Sequence, residues 1–204
     1  MKKILLATNN SHKVDEISHI LKDLGYEVLA RDQVYKGDFD VEENAPDLKG
    51  NALLKAQALS NLVGSKYLVL ADDTGLFVDA LKGEPGVHSA RYAGDQHNDE
   101  DNKKKLLQEL KEVNEGARTA AFITVLALVQ EGKAPVFIEG RLEGHIALEE
   151  KGSAGFGYDP LFIPKDYERS LGQMSPEEKN QISHRHKALE KLALYLQGAK
   201  TNED

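Results

Sequence analysis

Cysteine is absent from this chain. That omission removes disulfides, thiolate metal sites and cysteine nucleophiles together. A long apolar run is also missing from the start. In MKKILLATNN the two lysines are followed by only four apolar residues, Ile4 to Ala7. This is too short for a signal-peptide core and far too short for a membrane span, so a soluble cytoplasmic protein with no membrane partner is expected. No low-complexity block or internal repeat is present. Nor is there an excess of positive charge: 26 basic residues against 34 acidic leave a net charge of −8. Such a balance argues against non-specific nucleic-acid binding, which relies on lysine and arginine neutralising phosphates. It is compatible with a small phosphate ligand, because a few local cations and a divalent metal reverse the sign inside one cleft.

The 204 residues, 40% hydrophobic and 29% charged, suit one globular domain with a proper core. Residues 2–7 read as a strand. Val14, Ile17, Ile20, Leu21 and Leu24 then share one helical face, which Gly25 closes. YEVLA reads as a short strand, and residues 31–50 are polar and irregular. Ala52, Ala56, Leu59 and Val63 mark a second helix. Residues 67–71 read as a buried strand, and extended structure resumes at 76–80. KGEPGVHSARYAGDQ reads as a loop. Residues 99–112 read as a helix whose acidic start and following lysines suit its dipole. Residues 118–129 are apolar on both alternating faces, as in a central strand. In VFIEGRLEGHIAL, the residues Val136, Ile138, Leu142, Ile146 and Leu148 share one parity, the period of a half-buried strand. Ser175-Pro176-Glu177-Glu178 has the form of a capping box. A last helix carries Leu189, Leu192, Ala193 and Leu196 on one face, and residues 198–204 are expected to fray. Helices alternating with strands, then a long hairpin, predict an α/β fold with a mixed sheet.

Four segments can carry chemistry. ATNNSHK joins the first strand to the first helix, where ligands collect in open α/β sheets. Thr8, Asn9, Asn10 and Ser11 suit phosphate oxygens, the helix start offers free N–H groups, and Lys13 adds a cation. The glycines of a P-loop or dinucleotide fingerprint are missing. The plainer reading is that Asn10 or Ser11 caps the helix and Lys13 is solvated. The second segment is LVLADDTGLFVDA. Neighbouring strand residues point to opposite faces, so Asp72 and Asp73 cannot both enter one cleft. One carboxylate would serve the chemistry or a Mg²⁺ ion, and the other would hold a turn toward Gly75. An ordinary Asp-rich turn is the alternative. In GSAGFGYDP, three glycines allow close backbone approach, Phe156 and Tyr158 offer flat faces to a base, and Asp159 suits a nucleobase edge. A turn-rich loop with a buried aromatic is the competing reading. In EEKNQISHRHKAL, the residues Lys179, His184, Arg185 and His186 gather near the junction of two helices. Such donors suit phosphate or a keto oxygen, or are simply solvated. The two histidines are only two apart, which disfavours a two-histidine zinc site on one helix face.

TNNSHK, ADDTGL, GEPGVHSARYAG, GFGYDPLF and EEKNQISHRHKAL occur in this order across the chain. In that combination the sequence closely resembles the inosine triphosphate pyrophosphatase family, the bacterial non-canonical purine nucleoside triphosphate pyrophosphatases, over roughly residues 2–197. The resemblance implies one pyrophosphatase domain, 1–197, with an elongated mixed β-sheet, flanking helices and two lobes around a central substrate cleft. It implies cleavage of the α–β phosphoanhydride of purine nucleoside triphosphates (ITP, dITP and XTP) to the monophosphate and pyrophosphate, with Mg²⁺, by a homodimer. Carried over by motif, Thr8, Asn9, Asn10, Ser11, His12 and Lys13 would bind phosphates, and Thr74 would contact the substrate. Asp73 would be the general base and a metal carboxylate, with Glu42 the second metal ligand and Glu43 its competitor. Phe156, Gly157, Tyr158 and Asp159 would line the base and sugar pocket, and Lys179, His184 and Arg185 would complete it. Donors facing the purine 6-keto group would be left opposite an amino donor in adenine, which is costly when buried.

Two departures from the family pattern stand out. Gly50 occupies a position where relatives commonly carry an acid, and Asn9 one where many carry glycine. Two other classes compete. A haloacid-dehalogenase-type phosphatase would release orthophosphate, but its D-x-D spacing fails at the adjacent Asp72 and Asp73. A non-catalytic nucleotide-binding protein would not need Asp73.

Overall fold

The computed structural model describes residues 2–201, apart from the side chains of Ser11, His12, Asp23, Ala199, Lys200 and Thr201. In chain order the elements are β1 (Lys2–Leu6), α1 (Ser11–Leu21), β2 (Tyr26–Leu29), α2 (Leu48–Val63), β3 (Leu68–Val78), β4 (Pro85–Gly86), α3 (Asp99–Glu109), β5 (Thr119–Val129), β6 (Val136–Ile146), β7 (Phe162–Pro164), α4 (Pro176–Ile182) and α5 (His184–Thr201). The strands form one seven-stranded sheet in the order β2-β1-β3-β5-β6-β7, with β4 paired to β3. β1 runs parallel to both β2 and β3, whereas β3–β4 and β6–β7 are antiparallel. The fold is therefore mixed α/β, as the sequence predicts. The final segment of the expected tail, 202–204, lies outside the described residues, and α5 continues to Thr201.

The local signals that predict these elements act as physics requires. α1 passes into a short 3-10 turn and stops at Gly25, whose φ of 68° is cheap only for glycine. Ser175 Oγ accepts from Glu178 N at 3.2 Å, and Glu178 Oε2 accepts from Ser175 N at 2.9 Å, completing the capping box of α4. One expectation is corrected. No turn follows Ala71: β3 is a single strand of eleven residues through Asp72, Asp73, Thr74 and Gly75. β1 ends at Leu6, opposite Leu70, so these polar residues lie beyond the end of that partner. Leu148 also departs from its expected place. It lies past the end of β6 and is exposed.

The chain divides into two compact units. The first comprises Met1–Asp73, Thr124–Gly140 and Lys187–Asp204. Strand alternation sorts its core into two layers. Ile4, Leu6, Leu70, Leu126 and Leu128 pack with α1 and α5 through Ile17, Leu21, Leu189, Leu192 and Leu196. Leu5, Val69, Ala71, Ala127 and Val129 pack with α2 through Ala52, Ala56 and Leu59. Small residues on α2 let that helix lie close to the strands.

The second unit comprises Thr74–Ile123 and Arg141–His186. Its core gathers Leu76, Val78, Leu106, Leu110, Phe122, Leu142, Ile146, Tyr158, Phe162 and Met174. Arg118 is buried here with its guanidinium donating to the carbonyls of Leu110, Val113 and Ala147, which satisfies the charge without a carboxylate. β4 approaches β3 so closely that a Cβ on Gly75 would lie 2.4 Å from the Gly86 carbonyl oxygen. Gly75→Ala is expected to cost about 1–3 kcal/mol in a denaturant titration. Gly116→Ala, where an added Cβ meets nothing within 4 Å, serves as the near-neutral control.

Candidate active site

In the first unit β1 and β3 are adjacent and parallel, and the chain leaves β1 toward β2 on the other side. The carboxyl end of β1, where it stops beside Leu70 of β3, is therefore a topological switch point, the place where open α/β sheets bind ligands. The loop after β1 is built by its own polar side chains. Thr8 Oγ1 accepts from Asn10 N at 3.2 Å, and Asn9 Oδ1 accepts from Asp32 N at 3.0 Å. Of the two candidate caps, Asn10 caps α1, accepting from Lys13 N at 3.3 Å. The side chains of Ser11 and His12 lie outside the described residues.

The two aspartates lie on the other strand of this switch point, and strand parity decides their partners. Asp72 continues the face of Leu70, toward α1. Lys13 Nζ donates to both of its carboxylate oxygens, at 2.8 and 2.7 Å. The expected role of Asp72 in a turn is thus replaced by an ion pair, because the strand does not turn. Asp73 continues the face of Val69 and Ala71, toward α2. There Lys55 Nζ donates to Asp73 Oδ1 at 3.1 Å and to Glu43 Oε2 at 3.0 Å. Asp73 Oδ2 is buried and accepts no hydrogen bond. Burial pushes the Asp73 carboxyl up to about 6; Lys55 opposes this and the charge of Glu43 adds to it. Burial pulls the Lys55 ammonium down, but Asp73, Glu43 and Asp72 outweigh that and leave it raised.

Glu42 is exposed, whereas Glu43 shares the Lys55 ammonium with Asp73. Asn51, fully buried at the start of α2, holds this segment by accepting from Ala45 N at 2.9 Å. Gly50 belongs to the same packing: a Cβ there would lie 2.5 Å from the Ala45 Cβ. Asp73 and Glu43 are hard oxygen donors, one with an orphaned buried oxygen, and such a pair fits Mg²⁺. Among the described residues no three His, Asp or Glu side chains converge on one point. A Mg²⁺ ion held by one or two carboxylates commonly completes its shell with water and phosphate oxygens.

The second unit joins two segments that the sequence presents separately. Asp159, only 3% exposed, accepts from Phe156 N at 2.8 Å and from Lys179 Nζ. Lys179 Nζ also lies 4.3 Å from the centre of the Phe156 ring. Gly155 has a φ of 81°, and a Cβ there would collide with the Asp159 carboxylate. Gly157 N donates to Asp99 Oδ2 at 2.8 Å. Phe156 is 66% exposed, a large apolar face open to solvent. Tyr158 instead belongs to the core, its hydroxyl donating to Ser89 O at 2.8 Å, and burial pushes its phenol well up. Ser183 Oγ accepts from His186 N at 3.0 Å, capping α5 and setting His184 and Arg185 in its first turn. His184 stacks on Phe122, with centroids 4.9 Å apart and planes at 15°. Thr74 is half-buried in β3.

The sequence motifs do not single out Lys55, although a signal for it exists. It follows buried Asn51 by four residues on α2, beside the Ala52 and Ala56 stripe, so it shares a helix face with a core position. Ser89 likewise carries no distinguishing mark in the sequence beyond its place in GEPGVHSARYAG. Its hydroxyl accepts from Leu76 N at 2.8 Å and donates to Gly86 O at 2.6 Å, tying the GEPGVHSARYAG segment to β3.

Comparison with known proteins adds an independent line. The model of the Ham1 family matches residues 4–195. A protein of Oceanobacillus iheyensis named dITP/XTP pyrophosphatase is 43% identical over 196 residues, covering 96% of this chain and 98% of that protein. One of the same name from Porphyromonas gingivalis is 48% identical over 201 residues, covering 98% of this chain and 100% of its own length. Among solved structures, the Staphylococcus aureus Ham1 protein superposes with a TM-score of 0.88 at 39% identity, covering 97% of this chain and 100% of that one. A HAM1 protein from Coxiella burnetii gives a TM-score of 0.89 at 38% identity, with the same coverage.

Proposed function

The chain belongs to the Ham1 family, and on that premise we propose that it hydrolyses non-canonical purine nucleoside triphosphates (ITP, dITP and XTP) to the monophosphate and pyrophosphate. The family match over residues 4–195 supports reading residues 1–197 as one pyrophosphatase domain. In the same reading the protein is a cytoplasmic homodimer that uses Mg²⁺ and removes deaminated purines from the nucleotide pool.

The observation that carries the chemistry is Asp73. It is a half-buried carboxylate at a parallel-strand switch point, with an oxygen free of hydrogen bonds and an affinity for protons raised toward neutrality. A group with those properties suits a general base that takes a proton from an attacking water near physiological pH. Attack on the α-phosphorus of a polyanion meets charge repulsion, which Lys13, Lys55 and the N–H groups at the start of α1 would counter. Asp73 and Glu43 would hold the metal, since Glu43 shares a cation with Asp73 and Glu42 is exposed. Bound there, Mg²⁺ would draw charge from phosphate oxygens and acidify water. Thr8, Asn9 and Asn10 shape the phosphate loop, and Ser11 and His12 are assigned to it by their place in the motif.

Base recognition falls to the GFGYDP and SHRH segments. Phe156 would stack on the purine. Lys179, His184 and Arg185 supply donors for its keto edge, backed by Asp159, and Thr74 would contact the substrate. Tyr158 and Gly157 would shape this loop from behind.

A panel of ITP, dITP, XTP, ATP and GTP with Mg²⁺, resolving both products, tests the proposal. Pyrophosphate from the first three, at a kcat/KM at least about a hundredfold above that for ATP, is the expected result. Orthophosphate released without an added inorganic pyrophosphatase would favour a phosphatase. Binding without turnover would favour a nucleotide sensor.

A further inference from the structure

The ion pair between Lys13 and Asp72 opposes the job given to Lys13. An ammonium that should neutralise phosphate is already neutralised. Lys13 Nζ spends two of its three donors on the two Asp72 oxygens, at 2.8 and 2.7 Å. The pair is largely shielded from water, with side-chain exposures of 26% for Lys13 and 11% for Asp72. Asp72 is fixed in the interior of β3, and parity turns it away from the Asp73, Lys55 and Glu43 group. Lys13 lies in the first turn of α1, the end with positive partial charge, so its ammonium requires an anion nearby. Asp72 is that anion here, and a bound phosphate would be a second one competing for the same cation.

Resting on the reading that Lys13 is a phosphate ligand, we propose that Asp72 competes with bound phosphate for Lys13 and thereby speeds the release of pyrophosphate. While phosphate is held, the Lys13 ammonium is divided between it and the Asp72 carboxylate, which weakens its hold on each. As the product leaves, Lys13 returns to both carboxylate oxygens, so departure does not strand an unpaired buried cation. The competition weighs most on the product that draws most on Lys13. Asp72 is on this account a positioning residue acting through Lys13, not a group that touches the reacting atoms.

Asp72→Asn keeps the shape and removes the charge. Calorimetric titration of the full chain with inorganic pyrophosphate and Mg²⁺ is expected to show binding tightened roughly tenfold, with kcat and KM for ITP both falling because release becomes slower. In a Lys13→Met background the same substitution is expected to leave pyrophosphate affinity unchanged, as a double-mutant cycle requires of a pair that acts through one contact. Equal tightening in both backgrounds would reduce Asp72 to a plain negative charge and overturn the exchange. So would unchanged or weaker binding in the single variant. If Lys13→Met alone leaves pyrophosphate affinity intact, the assignment of Lys13 to phosphate falls, and the exchange falls with it. Asp72→Ser supplies the same comparison should the Asn variant fail to accumulate as folded protein.

Discussion

Asp73→Asn is expected to lower kcat on ITP by about 10²–10⁴-fold, the range that a positioned general base contributes, while making the metal-free protein more stable. Both effects have one cause. The asparagine cannot take a proton from water and is a poor metal ligand, so turnover is lost. It also removes a carboxylate that burial penalises. The sign follows from the proton affinities. The folded-state value is raised to about 6 from 3.8, so the folded chain keeps this proton over a range in which the unfolded chain has released it. Stability from this group is therefore lost as pH rises from about 4 through about 6, and stays lost above. The variant escapes that loss. Above pH 6 it is expected to unfold about 3–8 °C higher than the parent, from a difference of roughly 1–3 kcal/mol. The gap should close near pH 4, and added Mg²⁺ should narrow it by stabilising the parent alone. Thermal melts across pH with chelator and with Mg²⁺ measure this. Near-normal turnover would sink the base assignment, and a gap independent of pH would sink the electrostatic account.

Lys55→Met is expected to do the opposite to stability. The methionine keeps the aliphatic stem packed but leaves Asp73 and Glu43 facing each other without their shared cation. Breaking a buried ion pair on one side costs about 3–5 kcal/mol. Glu43 is 35% exposed and partly rehydrates, so about 2–3 kcal/mol is the expected loss near pH 8. Asp73 also loses its main electrostatic attraction and moves above about 6, so protonation relieves the strain at lower pH. The deficit should shrink by more than half near pH 5, and the acid limb of the kcat/KM profile should move upward. Denaturant titrations at both pH values give the answer. An equal deficit at both would mean that packing, not charge, was lost.

Much of the framework is legible without coordinates because it follows short-range rules. The α2 stripe of Ala52, Ala56 and Leu59, the apolar run on both faces of β5, and the capping box at Ser175 each rest on neighbours within a few residues in sequence. β3 reads as broken in the sequence because Asp72, Asp73 and Gly75 are poor strand formers. Local propensity yielded there to sheet pairing on either side. β4 and β7, of two and three residues, carry too little pattern to be seen. In the candidate site, the residue types were legible but their pairings were not. Asp159 reads as a group for a nucleobase edge, and only the tertiary fold shows it buried and accepting from Phe156 N and Lys179 Nζ. Lys55 shows the same limit, since its two carboxylates come from segments 12 and 18 residues away.

The run from Val69 to Asp73 works as a counter. Even and odd positions feed different helices, so each carboxylate finds its lysine only because the count is right. A conservative replacement within the run leaves that count alone. An inserted or deleted codon upstream of Asp72 in β3 would exchange the destinations, sending one acid toward α2 and the other toward α1 with every side chain still present. The site is thus better protected against changes of letter than against changes of length. Within this strand, natural variation should appear as substitutions at a fixed spacing.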